Sequence, residues 1–155
     1  MPHIDVTKTL DAPIEHVFEM LSDHAAYAAN FRGVKRSSLT REGDAEPNGL
    51  GAVRAITSGP IRFEEEIIAF ERPTRMDYLI VKVNAPAVHE GGSIRLEPDG
   101  DRTRVHWTST FRVSTPVVGV PLGATLQFAF AQAFKSMLNQ IEAQYSPEAI
   151  PAPAP

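Results

Sequence analysis

The chain has 155 residues, a formal net charge of −4, no cysteine, and 43% hydrophobic against 22% charged residues. That length favours one domain able to bury a sizeable core. The lack of cysteine excludes disulfides, thiol nucleophiles and cysteine-ligated zinc, and an acidic balance with no basic stripe argues against nucleic acid as a partner.

Residues 3–10 alternate, with Ile4, Val6 and Leu10 set against Asp5, Thr7 and Thr9, which predicts a strand. Asp11-Ala12-Pro13 then opens a helix, with proline placed in its first turn where a missing N–H costs nothing. Ile14, Val17, Phe18 and Leu21 give that helix one apolar face, and a second short helix is expected from Asp23 to Asn30. Six further strands are predicted near 34–42, 50–58, 61–71, 75–84, 88–97 and 102–113. The breaks between them carry turn chemistry, among them Glu46-Pro47-Asn48-Gly49, Ser58-Gly59-Pro60, Arg72-Pro73-Thr74 and Pro98-Asp99-Gly100-Asp101. Short strands joined by tight turns imply antiparallel hairpins. The basic cluster Arg32, Lys35, Arg36 and Arg41 reads as a solvated strand edge.

The last element is a long helix over roughly 121–144, opened by Pro121, with Leu126, Phe130, Ala133, Phe134, Met137, Leu138 and Ile141 on one stripe. Phe128 stands off that stripe, so the first half is apolar nearly all round and expects a cover: a loop, a ligand, or a second subunit in a homodimer. Gly119, Pro121, Gly123 and Gln127 interrupt the apolar stretch Val117–Phe134, which reads as a protein-buried helix with no membrane span. No basic segment followed by an apolar run stands at the N-terminus, so a cytoplasmic location is expected. The domain is bounded at 1–145, and the Pro/Ala-rich tail over 146–155 is expected to be disordered.

Several segments, in order, carry a resemblance: Leu10-Asp11-Ala12-Pro13-Ile14-Glu15-His16-Val17-Phe18, Asn48-Gly49-Leu50-Gly51-Ala52-Val53-Arg54, Glu65-Glu66-Ile67-Ile68-Ala69-Phe70-Glu71-Arg72-Pro73, Leu96-Glu97-Pro98 and Thr103-Arg104-Val105-His106-Trp107-Thr108. Together they resemble the START-like helix-grip superfamily (SRPBCC), in its polyketide cyclase/dehydrase and lipid-transport branch. The resemblance implies an α+β helix-grip fold: a six- to seven-stranded curved antiparallel sheet around the long C-terminal helix, with two short helices after the first strand. It also implies that a glutamate at Glu65 points inward to orient ligand or water.

Strand alternation places Ala52, Arg54 and Ile56 on one face and Phe63, Glu65 and Ile67 on one face of the next strand. A hairpin turn at Ser58-Gly59-Pro60 sets Arg54 about opposite Glu65. This is either a polar anchor for a ligand or an internal ion pair. Val105, Trp107, Ser109 and Phe111 are expected to face inward, with Met76, Tyr78 and Ile80, and Gly92, Ile94 and Leu96, on neighbouring walls. The predicted ligand-binding set is Arg54, Phe63, Glu65, Tyr78, Gly92, Trp107, Phe111, Phe130, Phe134 and Met137. Gly91-Gly92 marks a strand bulge or a close ligand approach. His89 reads either as a cavity-mouth general base or as an exposed strand residue. His16 and His24 have no metal spacing, no recognisable nucleophile or phosphate loop occurs, and no metal or organic cofactor is expected.

Three functions remain open on the sequence. The first is binding or transport of a small hydrophobic molecule such as a lipid, polyketide or steroid-like compound. The second is a cyclase or dehydratase in which Arg54 polarises a carbonyl and Glu65, Tyr78 or His89 moves protons. The third is a protein-interaction module, which calls for a filled core and an exposed apolar patch.

Overall fold

The structure, a computed structural model, describes residues 2–114 and 119–146. The elements run β1 (His3–Leu10), α1 (Ile14–Ser22), a 3-10 turn (His24–Ala26), α2 (Tyr27–Asn30), β2 (Arg36–Arg41), β3 (Val53–Ser58), β4 (Ile61–Glu71), β5 (Arg75–Val83), β6 (Ala87–Asp99), β7 (Arg102–Val113) and α3 (Gly119–Gln144). The strands form one seven-stranded antiparallel sheet in the order β1-β7-β6-β5-β4-β3-β2. The predicted α+β helix-grip architecture is present, with seven strands. The tail predicted to be disordered lies, apart from Ser146, outside the described residues.

Local chemistry explains the small departures from the sequence reading. Pro13 sits one position before α1, as its extended N-cap residue, and Val17 N–H donates to the Pro13 carbonyl. The single second helix expected after Asp23 is a 3-10 turn followed by the four residues of α2. The β3–β4 hairpin turns at Gly59, whose φ of +57° a side chain would resist. The register of β6 against β7 shifts between His89 and Gly91, and Gly91 has a φ of +141°, so the predicted bulge is real.

The two halves of α3 do different things. Leu138 and Ile141 are fully buried, and the C-terminal half is tied to the rest by Gln140, which accepts from Arg32 N–H, and by Gln144, which donates to the Asn30 carbonyl. Burying each of those two apolar side chains contributes roughly 1.5–3 kcal/mol. Leu126, Phe130, Phe134 and Met137, all before Leu138, are only half-buried although they face the sheet. They line a space that the protein does not fill. Phe128 is 68% exposed, so nothing among the described residues covers that side of the helix.

Candidate functional site

The space between sheet and α3 is a partly open cavity of about 150 Å³. Its walls are mostly apolar: Ile56 from β3, Phe63 from β4, Ile80 from β5, Trp107 and Phe111 from β7, and Phe130, Phe134 and Met137 from α3. Trp107 stacks on Phe134 with ring centroids 4.0 Å apart, and Phe111 meets Phe130 edge-on at 5.9 Å. These contacts hold the helix against β7 and leave the cavity open towards β3, β4 and β5.

Nine of the ten predicted site residues line this cavity: Arg54, Phe63, Glu65, Tyr78, Trp107, Phe111, Phe130, Phe134 and Met137. Gly92 does not. A Cβ built on Gly92 would stand 2.5 Å from the Tyr78 hydroxyl oxygen, so the close approach made there is by the Tyr78 ring. The missing side chain makes room for a protein group.

Two polar clusters interrupt the apolar wall. The first is charged. Arg54 and Glu65 are register partners on β3 and β4, as the hairpin reading places them. Arg54 Nε donates to Glu65 Oε2 at 2.5 Å, Nη2 pairs with the same oxygen, and Nη1 donates to His24 Nδ1 at 2.7 Å. The guanidinium also lies over the Tyr27 ring at 4.8 Å. His24 is fully buried, and its Nε2–H donates to the Asn48 carbonyl at 3.1 Å. Burial, and then the Arg54 charge, push the His24 pKa down to about 2, so the ring is neutral and accepts at Nδ1. Burial is the largest influence on the Arg54 pKa and pulls it down, but the Glu65 charge and hydrogen bond, together with Tyr27, outweigh it in sum, and the net shift is upward. All three guanidinium nitrogens are engaged by the protein. The sequence does not mark His24, because an isolated histidine in a segment without periodicity gives no hint that it reaches β3.

The second cluster is neutral. The sequence leaves His89 as a mouth residue or an exposed one, yet it is only 9% exposed. The bulge after it turns the ring inward, stacked on Tyr78 at 5.5 Å. Its Nδ1 accepts the Ile80 N–H at 3.0 Å, so its single proton sits on Nε2 and is donated to Ser109 Oγ at 2.8 Å. Burial lowers the His89 pKa to about 4. Trp107 Nε1–H donates to Tyr78 Oη at 2.8 Å. Burial first, and then the nearby Glu65 charge, raise the Tyr78 pKa well above its ordinary value, so the phenol keeps its proton.

No group of three or more histidines, aspartates and glutamates is placed to hold a metal ion among the described residues. No helix there is long and apolar enough to cross a membrane.

No curated protein matches the chain by sequence. Solved structures share the fold at low identity. A START superfamily protein from Mycobacterium smegmatis is 15% identical with a TM-score of 0.75, covering 92% of this chain and 99% of that one. A protein from Thermus thermophilus is 18% identical with a TM-score of 0.72, covering 92% and 95%. The di-domain ARO/CYC protein BexL from the BE-7585A biosynthetic pathway is 20% identical with a TM-score of 0.71, covering 94% of this chain and 52% of that one. Residues 1–145 match the family described as polyketide cyclase / dehydrase and lipid transport, and the chain belongs to that family.

Proposed function

We propose that the protein binds one small, largely apolar molecule in the cavity between the sheet and α3. The observation that carries this reading is the cavity itself: about 150 Å³, walled by aromatic and aliphatic side chains, with its polar groups gathered at two places. An apolar space of that size can hold a one-ring molecule without rearrangement. It lies below the roughly 300–1,000 Å³ of pockets that enclose drug-sized ligands, so longer ligands require movement of the half-buried end of α3. The family description, which names polyketide chemistry and lipid transport, is consistent with such cargo.

Binding fits the two histidines better than proton transfer does. A histidine acting as general base needs a free lone pair. Both nitrogens of His89 are engaged, one accepting from Ile80 and the other donating to Ser109. His24 Nδ1 is likewise filled by Arg54. An interaction module would not need an unfilled interior.

Trp107 provides the test, being the only tryptophan and part of the cavity wall. A screen of fatty acids, sterols, flavonoids and polyketide aromatics should find a compound that shifts its emission saturably and raises the melting temperature. If no compound does either, and filling substitutions such as Ala133→Leu stabilise the chain with no other change, the cavity is a packing defect and the proposal fails.

A further inference from the structure

The neutral cluster has more hydrogens than it has acceptors for. Four donors meet there: His89 Nε2–H, Trp107 Nε1–H, and the hydroxyls of Ser109 and Tyr78. Two hydrogen bonds form among them, His89 to Ser109 and Trp107 to Tyr78. The two hydroxyl hydrogens find no acceptor within the cluster, and both residues line the cavity. Of the two, the phenol is the more acidic hydroxyl, and accepting from Trp107 strengthens it further as a donor. Across the cavity, each guanidinium nitrogen of Arg54 has a protein partner and its charge is matched by Glu65, so an anionic ligand finds no unmatched cation and meets the Glu65 carboxylate.

Resting on the proposed binding function, we infer that the Tyr78 hydroxyl is the specificity-determining donor of the cavity, and that it selects ligands carrying a neutral acceptor oxygen, a ketone or lactone carbonyl, over carboxylates and plain hydrocarbons. The role is positioning. The hydrogen bond from Trp107 and the stacking of His89 on the Tyr78 ring fix the donor before the ligand arrives, so little ordering is left for binding to impose.

Three matched one-ring probes test this by calorimetric titration of the full chain: acetophenone, ethylbenzene and benzoate. The acetyl compound should bind about tenfold tighter than the ethyl compound, the worth of one well-placed hydrogen bond in a buried site, with benzoate weakest. Tyr78→Phe should abolish the acetyl preference. In the wild-type protein the infrared carbonyl stretch of bound acetophenone should fall relative to hexane solution, a reading that stands even if the variant folds poorly. Equal binding of acetyl and ethyl probes overturns the inference while leaving the cavity's binding role intact. So does tightest binding of benzoate, which would mean that Arg54 can turn to a ligand. A preference that survives Tyr78→Phe but disappears in Ser109→Ala overturns the assignment to Tyr78. If none of the three binds although another compound of the screen does, the inference falls alone, and if nothing binds at all the binding role falls with it.

Discussion

The two polar clusters of the cavity solve the same problem in opposite ways. Both bring hydrogen-bonding groups into an apolar interior, where an unpaired one costs about 1–3 kcal/mol. The Arg54–Glu65–His24 cluster is charged and closed: each guanidinium nitrogen has a protein partner, and the histidine is held neutral to be one of them. The Tyr78–Trp107–Ser109–His89 cluster is uncharged, and its two hydroxyl hydrogens have no acceptor within it. The group that looks most like a ligand anchor in the sequence, Arg54, has a protein partner on every guanidinium nitrogen, while the less conspicuous hydroxyl pair lines the same cavity.

Breaking the charged cluster should have the largest effect. Glu65→Ala leaves Arg54 buried with only His24 to pair it, and removing one partner of a buried ion pair costs on the order of 3–5 kcal/mol. Thermal melting followed by circular dichroism should show a drop of roughly 10 °C or more for a domain of this size. The double replacement Arg54→Met with Glu65→Leu should recover most of that loss, because it removes both charges together. A Glu65→Ala protein that melts like wild type would mean that the pair is hydrated.

The histidines give the next largest effect, and one comes from each cluster. Both are harder to protonate folded than unfolded, so below the ordinary histidine value near 6.5 the unfolded state binds more protons than the folded one. Stability is complete above that value and is lost as the pH falls, down to about 4 for His89 and about 2 for His24. Each contributes a slope of about 1.4 kcal/mol per pH unit, so the two together approach about 3. Urea unfolding between pH 6 and pH 5, above most carboxylate titration, should read this slope. His24→Asn keeps an acceptor for Arg54 and should halve it. A slope unchanged by that variant would show that His24 is free to protonate.

The sequence carries the sheet and the charged pair for one reason and hides the histidines for another. Period-two alternation is a local signal, and a tight turn at Gly59 fixes register by counting, which is how Arg54 and Glu65 come to face each other across β3 and β4. Inward positions on β7, such as Val105, Trp107, Ser109 and Phe111, follow from the same alternation, and all four are buried. His24 lies where no period runs, and its contact with Arg54 spans 30 residues through a 3-10 turn whose geometry the sequence does not announce. His89 precedes a bulge, which breaks the alternation that would have assigned its face. Gly92 is legible as a close approach but not for which group approaches.

Perturbing the neutral cluster through Gly92 should cost less than breaking the charged one. In Gly92→Ala the new methyl would sit 2.5 Å from both Cε2 and the hydroxyl oxygen of Tyr78, so the ring has to move. Overpacking of this kind costs about 1–3 kcal/mol. The movement should also part Tyr78 from Trp107 Nε1, which a change in Trp107 emission of the ligand-free protein would report. Unchanged emission with lowered stability would mean that β6 yields and the network stays closed.

The smallest expected effects come from the two neighbours of Glu65, and they are the sharpest control on the comparison. Glu64, Glu65 and Glu66 are chemically identical and consecutive on β4, so they share strand propensity and differ in facing. Glu64 lies in register with Ala55 on one side and Lys82 on the other, away from the cavity. Glu66 accepts from Arg41 Nη2 at 2.6 Å, but the two side chains are 35% and 58% exposed. An ion pair in that much water contributes about 0–1 kcal/mol, because solvent screens it and two flexible chains must be held in place. Glu64→Ala should therefore change stability by no more than about 0.5 kcal/mol, and Glu66→Ala by no more than about 1. Raising the salt concentration should erase the Glu66 effect while leaving the Glu65→Ala loss nearly intact, since a buried pair is poorly screened. Comparable losses at all three positions would place the importance of Glu65 in strand pairing or net charge, and the account of a closed, charged cluster would have to be given up.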